Sequence, residues 1–101
     1  MYPVAFTTEA LAEASEQAAY LEDARTGYGN KFLDALKVVR EKISQRPDSY
    51  ASPLQRPDLH RISMPKPFNK SHSVYYSFDG KKVLIECIFP NKRDPRIWQE
   101  R

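Results

Sequence analysis

The stretch Val74-Tyr75-Tyr76-Ser77-Phe78-Asp79-Gly80-Lys81-Lys82-Val83-Leu84-Ile85-Glu86-Cys87-Ile88-Phe89 decides the fold. Its first five residues are mostly β-branched and aromatic, the side chains that suit a pleated, half-buried surface. Asp79-Gly80 is a two-residue hairpin signal with strand formers on both sides. The run after it, Lys82 to Phe89, is almost continuously apolar, which predicts a central strand covered on at least one face. The stretch therefore predicts an antiparallel hairpin with strands over 73–78 and 82–89. Tyr75 and Tyr76 are adjacent in a strand and so face opposite sides of the sheet.

Upstream of the hairpin, Leu59 to Met64 reads as a further short strand. Pro65-Lys66-Pro67-Phe68-Asn69-Lys70 joins the two and cannot donate a full ladder. The second half of the chain is thus a three-stranded antiparallel meander. Ser49 to Pro57, with Pro53 and Pro57, reads as an extended loop.

The first half reads as helix. Pro3 to Phe6 is a short β-prone piece, which Pro3 confines to a strand start or an edge. Thr7-Thr8-Glu9 opens a helix over about Thr8 to Ala24, since either Thr can accept from a free N–H of the first turn. Its apolar positions are Leu11, Ala14, Ala18 and Leu21, and the acidic face of Glu9, Glu13, Glu16, Glu22 and Asp23 is expected in solvent. Gly27-Tyr28-Gly29 breaks the pattern. A second helix over Asn30 to about Arg46 carries the stripe Phe32, Leu36, Val39 and Ile43. Arg46-Pro47 ends it. The expected fold is α+β, with an N-terminal strand and an antiparallel helix hairpin packed on a small twisted antiparallel β-sheet.

At 101 residues, 41% apolar and 29% charged, the chain has the size and composition of one soluble domain over residues 1–101. No apolar run approaches the ~20 residues of a membrane span, and no signal-peptide pattern opens the chain. A cytoplasmic protein without membrane contact is expected. Cys87 lies among large apolar residues and reads as an inert buried thiol. One Cys and two His do not supply a soft-ligand zinc site, and neither a metal nor a cofactor is expected.

Charge is divided unevenly. Residues 1–50 balance to −2 and residues 51–101 to +5. A basic half points toward nucleic acid or an acidic protein partner. No phosphate loop, nucleophile elbow or zinc motif is present. His60 and His72 stand alone and read as surface or structurally bonded histidines. The cations that can share one sheet surface are Arg61 on the first meander strand, Lys66 and Lys70 in its connection, and Arg93, Arg96 and Arg101 after the last strand. Arg grips phosphate and carboxylate bidentately. Trp98, the only Trp, can stack on a base or anchor the tail in a groove. The other reading is a solubilising basic face with Trp98 at the core edge.

Taken in order, these residues resemble the RelE/ParE superfamily of bacterial toxin–antitoxin toxins. The resemblance runs through Val4-Ala5-Phe6-Thr7-Thr8-Glu9-Ala10, the Gly27 to Phe32 turn, Arg46-Pro47, His60-Arg61-Ile62-Ser63-Met64, Val74-Tyr75-Tyr76 and Arg93-Asp94-Pro95 with Trp98 and Arg101. It implies a small toxin, a factor in growth inhibition and plasmid stabilisation, neutralised by a cognate antitoxin whose disordered tail wraps it in a hetero-oligomer. RelE-like members cut mRNA in the ribosomal A site with basic residues, whereas ParE-like members poison DNA gyrase. Carried over, the resemblance makes Arg61, Arg93 and Trp98 the catalytic set of a ribosome-dependent endoribonuclease. Together with the cations read from the sequence, Arg61, Lys66, Lys70, Arg93, Arg96, Trp98 and Arg101 are the expected target-binding set. Two cations of the nuclease pattern are replaced, by Ser63 on the first meander strand and by Ser73 on the second. The resemblance therefore implies a ParE-like inhibitor that acts by binding. An mRNA endoribonuclease and an attenuated, non-toxic relative are the alternatives.

Overall fold

The computed structural model describes residues 1–54 and 56–91. The elements in order are β1 (Val4–Phe6), α1 (Thr8–Ala24), α2 (Tyr28–Gln45), β2 (His60–Ser63), β3 (His72–Phe78) and β4 (Val83–Pro90). They form two layers, the helix hairpin and a four-stranded sheet of order β1-β4-β3-β2. The meander β2-β3-β4 is antiparallel as expected. β1 adds to it in parallel, with Ala5 opposite Leu84, so the whole sheet is mixed. That places the apolar run of β4 in the interior of the sheet, between β1 and β3.

Thr7 caps α1, its side chain accepting from Ala10 N–H at 3.1 Å. Ala10 and Ala14 are the buried positions of α1, while Leu11 is 54% exposed. The inward stripe keeps Ala14, Ala18 and Leu21 as expected and takes Ala10 in place of Leu11. α2 buries Phe32, Leu36, Val39 and Ile43 as its periodicity predicts. It starts at Tyr28, two residues before the expected Asn30. Gly27 serves as its N-cap at φ +90°, a backbone state that glycine reaches without strain. The missing side-chain cap is supplied from α1: the Glu22 carboxylate accepts from Gly27 N–H at 3.0 and 3.1 Å and from Gly29 N–H at 3.0 Å. Glu22 is thus a joint of the hairpin and not merely a solvated charge.

The β3–β4 turn also differs from expectation. Phe78 pairs with Val83, so the loop is Asp79 to Lys82, longer than the two-residue turn its Asp-Gly suggests. Asp79 Oδ1 accepts from both Lys81 N–H and Lys82 N–H at 2.8 Å. These bonds, that from Lys82 first, hold the Asp79 carboxyl below its ordinary range. Gly80 takes φ +90° at the tip.

The main core lies between helices and sheet, and Phe32, Val39, Ile43, Val74, Val83, Ile85 and Ile88 are fully buried in it. Tyr76 is buried with them and donates its hydroxyl to the Pro47 carbonyl at 2.6 Å, which fixes the exit from α2 against β3. Burial pushes its phenol well above the ordinary range. Between Tyr75 and Tyr76 the register shifts, because Tyr75 faces Cys87 while Tyr76 faces Ile85. Glu86 is the extra residue of this bulge. A bulge leaves ladder groups unpaired, and α1 satisfies groups on both sides of it. Thr7 Oγ1 donates to the Glu86 carbonyl at 3.3 Å, and Glu13 Oε1 accepts from Ile88 N–H at 3.0 Å. Glu13, like Glu22, was expected in solvent and instead ties α1 to backbone.

Candidate functional site

The face of the meander turned away from the helices is set by strand alternation. Ile62 and Val74 enter the main core. Their neighbours Arg61, Ser63, Ser73 and Tyr75 therefore project from the other side. Register aligns them in rows: Ser63 opposite Ser73 opposite Phe89, and Arg61 opposite Tyr75 opposite Cys87. Leu59, Cys87 and Phe89 form a second buried cluster here, with Tyr75 packed against it. The bulge at Glu86 makes this possible, since it returns Ile88 to the main core while Cys87 and Phe89 serve the outer face. The expected coverage of β4 is met on both faces, and Cys87 is buried as its surroundings predict.

Arg61 is exposed on β2, and its N–H donates to the Ala51 carbonyl at 2.9 Å. Among the described strand residues it is the only Arg or Lys. One guanidinium offers a fork of donors to a phosphate or carboxylate. General acid–base chemistry needs further groups in place, and the neighbouring positions Ser63 and Ser73 carry neutral hydroxyls. Ser73 is fully buried. Its Oγ donates to Asn91 Oδ1 at 2.7 Å. Asn91 in turn donates from Nδ2 to the Lys70 carbonyl at 2.9 Å and from its N–H to the Ser71 carbonyl at 2.7 Å. The end of β4 is thereby knotted to the start of β3 by neutral bonds.

Of the residues expected to bind a target, Arg61, Lys66 and Lys70 are described and all three are exposed. Lys70, whose backbone carbonyl accepts from Asn91, lines a cleft with Gln17 and Tyr20 of α1. Lys66 lies in the connection after β2. Arg61 is two residues from Ser63 along β2, about 7 Å at strand rise. Of the three, strand alternation puts Arg61 alone on the outer face, while Lys66 and Lys70 lie in the β2–β3 connection. Arg93, Arg96, Trp98 and Arg101 lie outside the described residues.

A second arginine, Arg56, was not singled out from the sequence. Its side chain is 16% exposed and grips Asp58 bidentately, Nε to Oδ1 at 2.9 Å and Nη2 to Oδ2 at 2.8 Å. The hydrogen bond from Asp58 first, and its charge, raise the Arg56 pKa above the ordinary arginine value. The Arg-Pro-Asp spacing inside a proline-rich loop was the available signal.

Both histidines are structural, as expected. His60 Nδ1 bonds the Tyr50 carbonyl at 2.6 Å and its ring stacks on Tyr76. His72 is buried between Ser71 Oγ at 2.8 Å and Gln17 Oε1 at 2.7 Å, and desolvation lowers its pKa. Among the described residues no three of His, Cys, Asp and Glu gather to hold a metal. No described helix is long and apolar enough to cross a membrane.

No family model and no curated protein matches the sequence. Among solved structures the chain is similar to one of the chromosomal ParDE TA system from P. aeruginosa, with a TM-score of 0.67 and 17% identity. The superposition covers 89% of this chain and 96% of that one. At such identity the likeness concerns the path of the backbone, and its coverage extends it to the whole domain. This chain therefore has the fold of the matched ParDE-system chain.

Proposed function

We propose that the protein is the toxin of a two-protein toxin–antitoxin system and acts in the ParE-like manner, by occupying a target and not by cutting RNA. The observation that carries the reading is the Ser63–Ser73 pair on the outer face. Ser73 is buried and committed to Asn91, so neither it nor Ser63 supplies charge for cleavage at a ribose. Stabilising a developing phosphorane requires preorganised donors aimed at that charge. The fold neighbour is a ParDE TA system, and the same pairing is proposed for this chain, with a cognate antitoxin as partner in a cytoplasmic hetero-oligomer. Arg61, Lys66 and Lys70 provide cationic contacts to the target on this reading. DNA gyrase is the proposed target, through the resemblance of the sequence to ParE-like toxins.

The test is supercoiling by purified gyrase with excess protein. Inhibition, relieved by Arg61→Glu, is expected. Undiminished supercoiling at saturating protein overturns gyrase as target. Cuts in ribosome-bound mRNA on induction would overturn the binding mechanism itself.

A further inference from the structure

A cleft of about 610 Å³ between α1 and the start of β3 is lined by Gln17, Tyr20, Lys70, Ser71, His72 and Pro90. Ser71 is exposed in it, while His72 is only 5% exposed. The bonds that hold His72 in place also order its protons. Gln17 Oε1, 2.7 Å from Nε2, can only accept, so Nε2 carries the hydrogen of the neutral ring. Nδ1 is then a bare acceptor, and Ser71 Oγ donates to it at 2.8 Å. The Phe68 carbonyl, 3.3 Å from the same hydroxyl, is the weaker acceptor. Desolvation lowers the His72 pKa and keeps the ring neutral, the state required of a base. The Phe32 and Phe68 rings pack edge-on against the imidazole and limit its rotation. A hydroxyl bonded to a base, with the base oriented by a third group, is the arrangement that activates a nucleophile.

The surroundings of the hydroxyl limit what it can do. The N–H groups of Ser71 and His72 both donate to the Phe68 carbonyl, at 3.1 and 3.0 Å, and so give nothing to a developing oxyanion. Lacking one such donor costs about a hundredfold to a thousandfold in rate. This chemistry suits a single capture of an already activated group and not turnover on a stable ester or amide. Among the described residues, Lys70 is the only charged side chain lining the cleft, so the donor it favours is an anion.

We propose that Ser71 is a nucleophile, activated by His72 and positioned through Gln17, that takes an acyl group from an acyl phosphate. Ser71 Oγ attacks the carbonyl carbon as its proton passes to His72 Nδ1. The Oγ–C bond forms, the C–O bond to phosphate breaks, and His72 gives the proton to the departing phosphate. The products are an ester on Ser71 and inorganic phosphate. The inference does not depend on the proposed function.

Acetyl phosphate with the full chain, followed by peptide mass spectrometry, tests it. One acetyl group is expected on Ser71, released by hydroxylamine as an ester is and a lysine amide is not. Ser71→Ala should lose it. His72→Gln is expected to slow the reaction about a hundredfold, the lower end of a general base's contribution. Gln17→Leu should slow it about tenfold, the rate equivalent of one hydrogen bond to the ring. Gln17→Glu, which restores an acceptor for Nε2, should recover the rate at an unchanged unfolding midpoint. Lys70→Met is expected to raise the acetyl phosphate concentration needed for half the limiting rate and to leave that rate unchanged. Should His72→Gln not fold, the Gln17 pair, at a half-buried helix position, carries the test. Acetylation confined to lysines overturns the inference. So does a Ser71 rate unchanged in folded His72→Gln, or Gln17→Glu reacting no faster than Gln17→Leu.

Discussion

Ser73 Oγ and Asn91 Oδ1 lie 2.7 Å apart, a bond joining the start of β3 to the end of β4. Ser73 is fully buried while Asn91 is exposed, so the bond is shielded from water on one side only. Ser73→Ala is expected to lower stability by about 1 kcal/mol, the net worth of such a bond. Urea unfolding measures it. Asn91→Ala should cost more, since the side chain also donates to Lys70. The two losses are not additive, with a coupling of about 1 kcal/mol in the double variant. Strict additivity would show that the bond contributes nothing.

The hairpin joint gives a sharper contrast between two glycines. A Cβ on Gly29 would meet the Ala18 carbonyl at 2.8 Å, while one on Gly27 meets nothing within 4 Å but is asked to hold φ +90°. Gly29→Ala forces backbone apart and is expected to cost about 1–3 kcal/mol. Gly27→Ala costs only the left-handed strain, about 1–2 kcal/mol, and should leave the helix packing intact. Glu22→Ala removes the acceptor of three N–H contacts and is expected to cost about 2 kcal/mol, in the range for bonds to a charged group. Thermal unfolding of the three variants, with near-ultraviolet circular dichroism for packing, decides the order.

The hairpin stretch and the α2 stripe were legible because each rests on local periodicity, and both give the elements the structure contains. What could not be read were contacts between segments far apart in the chain. Leu11 and Ala10 are equally plausible core residues until β4 is known to pass close to α1. The bulge at Glu86 has no local signature, yet it decides that Cys87 and Phe89 serve the outer face. The three residues of β1 carry no information about their parallel partner, whose register comes from β4. For the site, alternation placed Arg61 on the open side of β2. Arg56 stayed hidden because its bidentate pairing with Asp58 depends on the path of the loop.

His72 sets a pH dependence whose sign follows from its burial. Desolvation lowers its pKa in the folded protein, so the unfolded chain binds the proton more readily. Stability is then full above the unfolded histidine pKa of about 6.5 and falls as pH drops from there through the folded value. The urea midpoint is expected to decrease between about pH 7.5 and about pH 5.5, a window above the ordinary carboxylate range. In His72→Gln the decrease over that window should shrink. An unchanged slope in that variant would assign the dependence to another group.

Arg61 separates a functional residue from a structural one. Its side chain is exposed and makes no hydrogen bond or ion pair with the described residues, so Arg61→Glu is expected to change stability by less than about 0.5 kcal/mol. Its main-chain bond to Ala51 does not depend on the side chain. The same substitution places a carboxylate where the proposed target meets a cation, and a repulsive pair at a contact costs more than a lost attraction. Growth arrest on induction should therefore weaken strongly while expression and the unfolding midpoint hold. Ser63→Ala, next along the same face, should spare both. If Arg61→Glu arrests growth as fully as the parent, the outer face of β2 is not where the target binds.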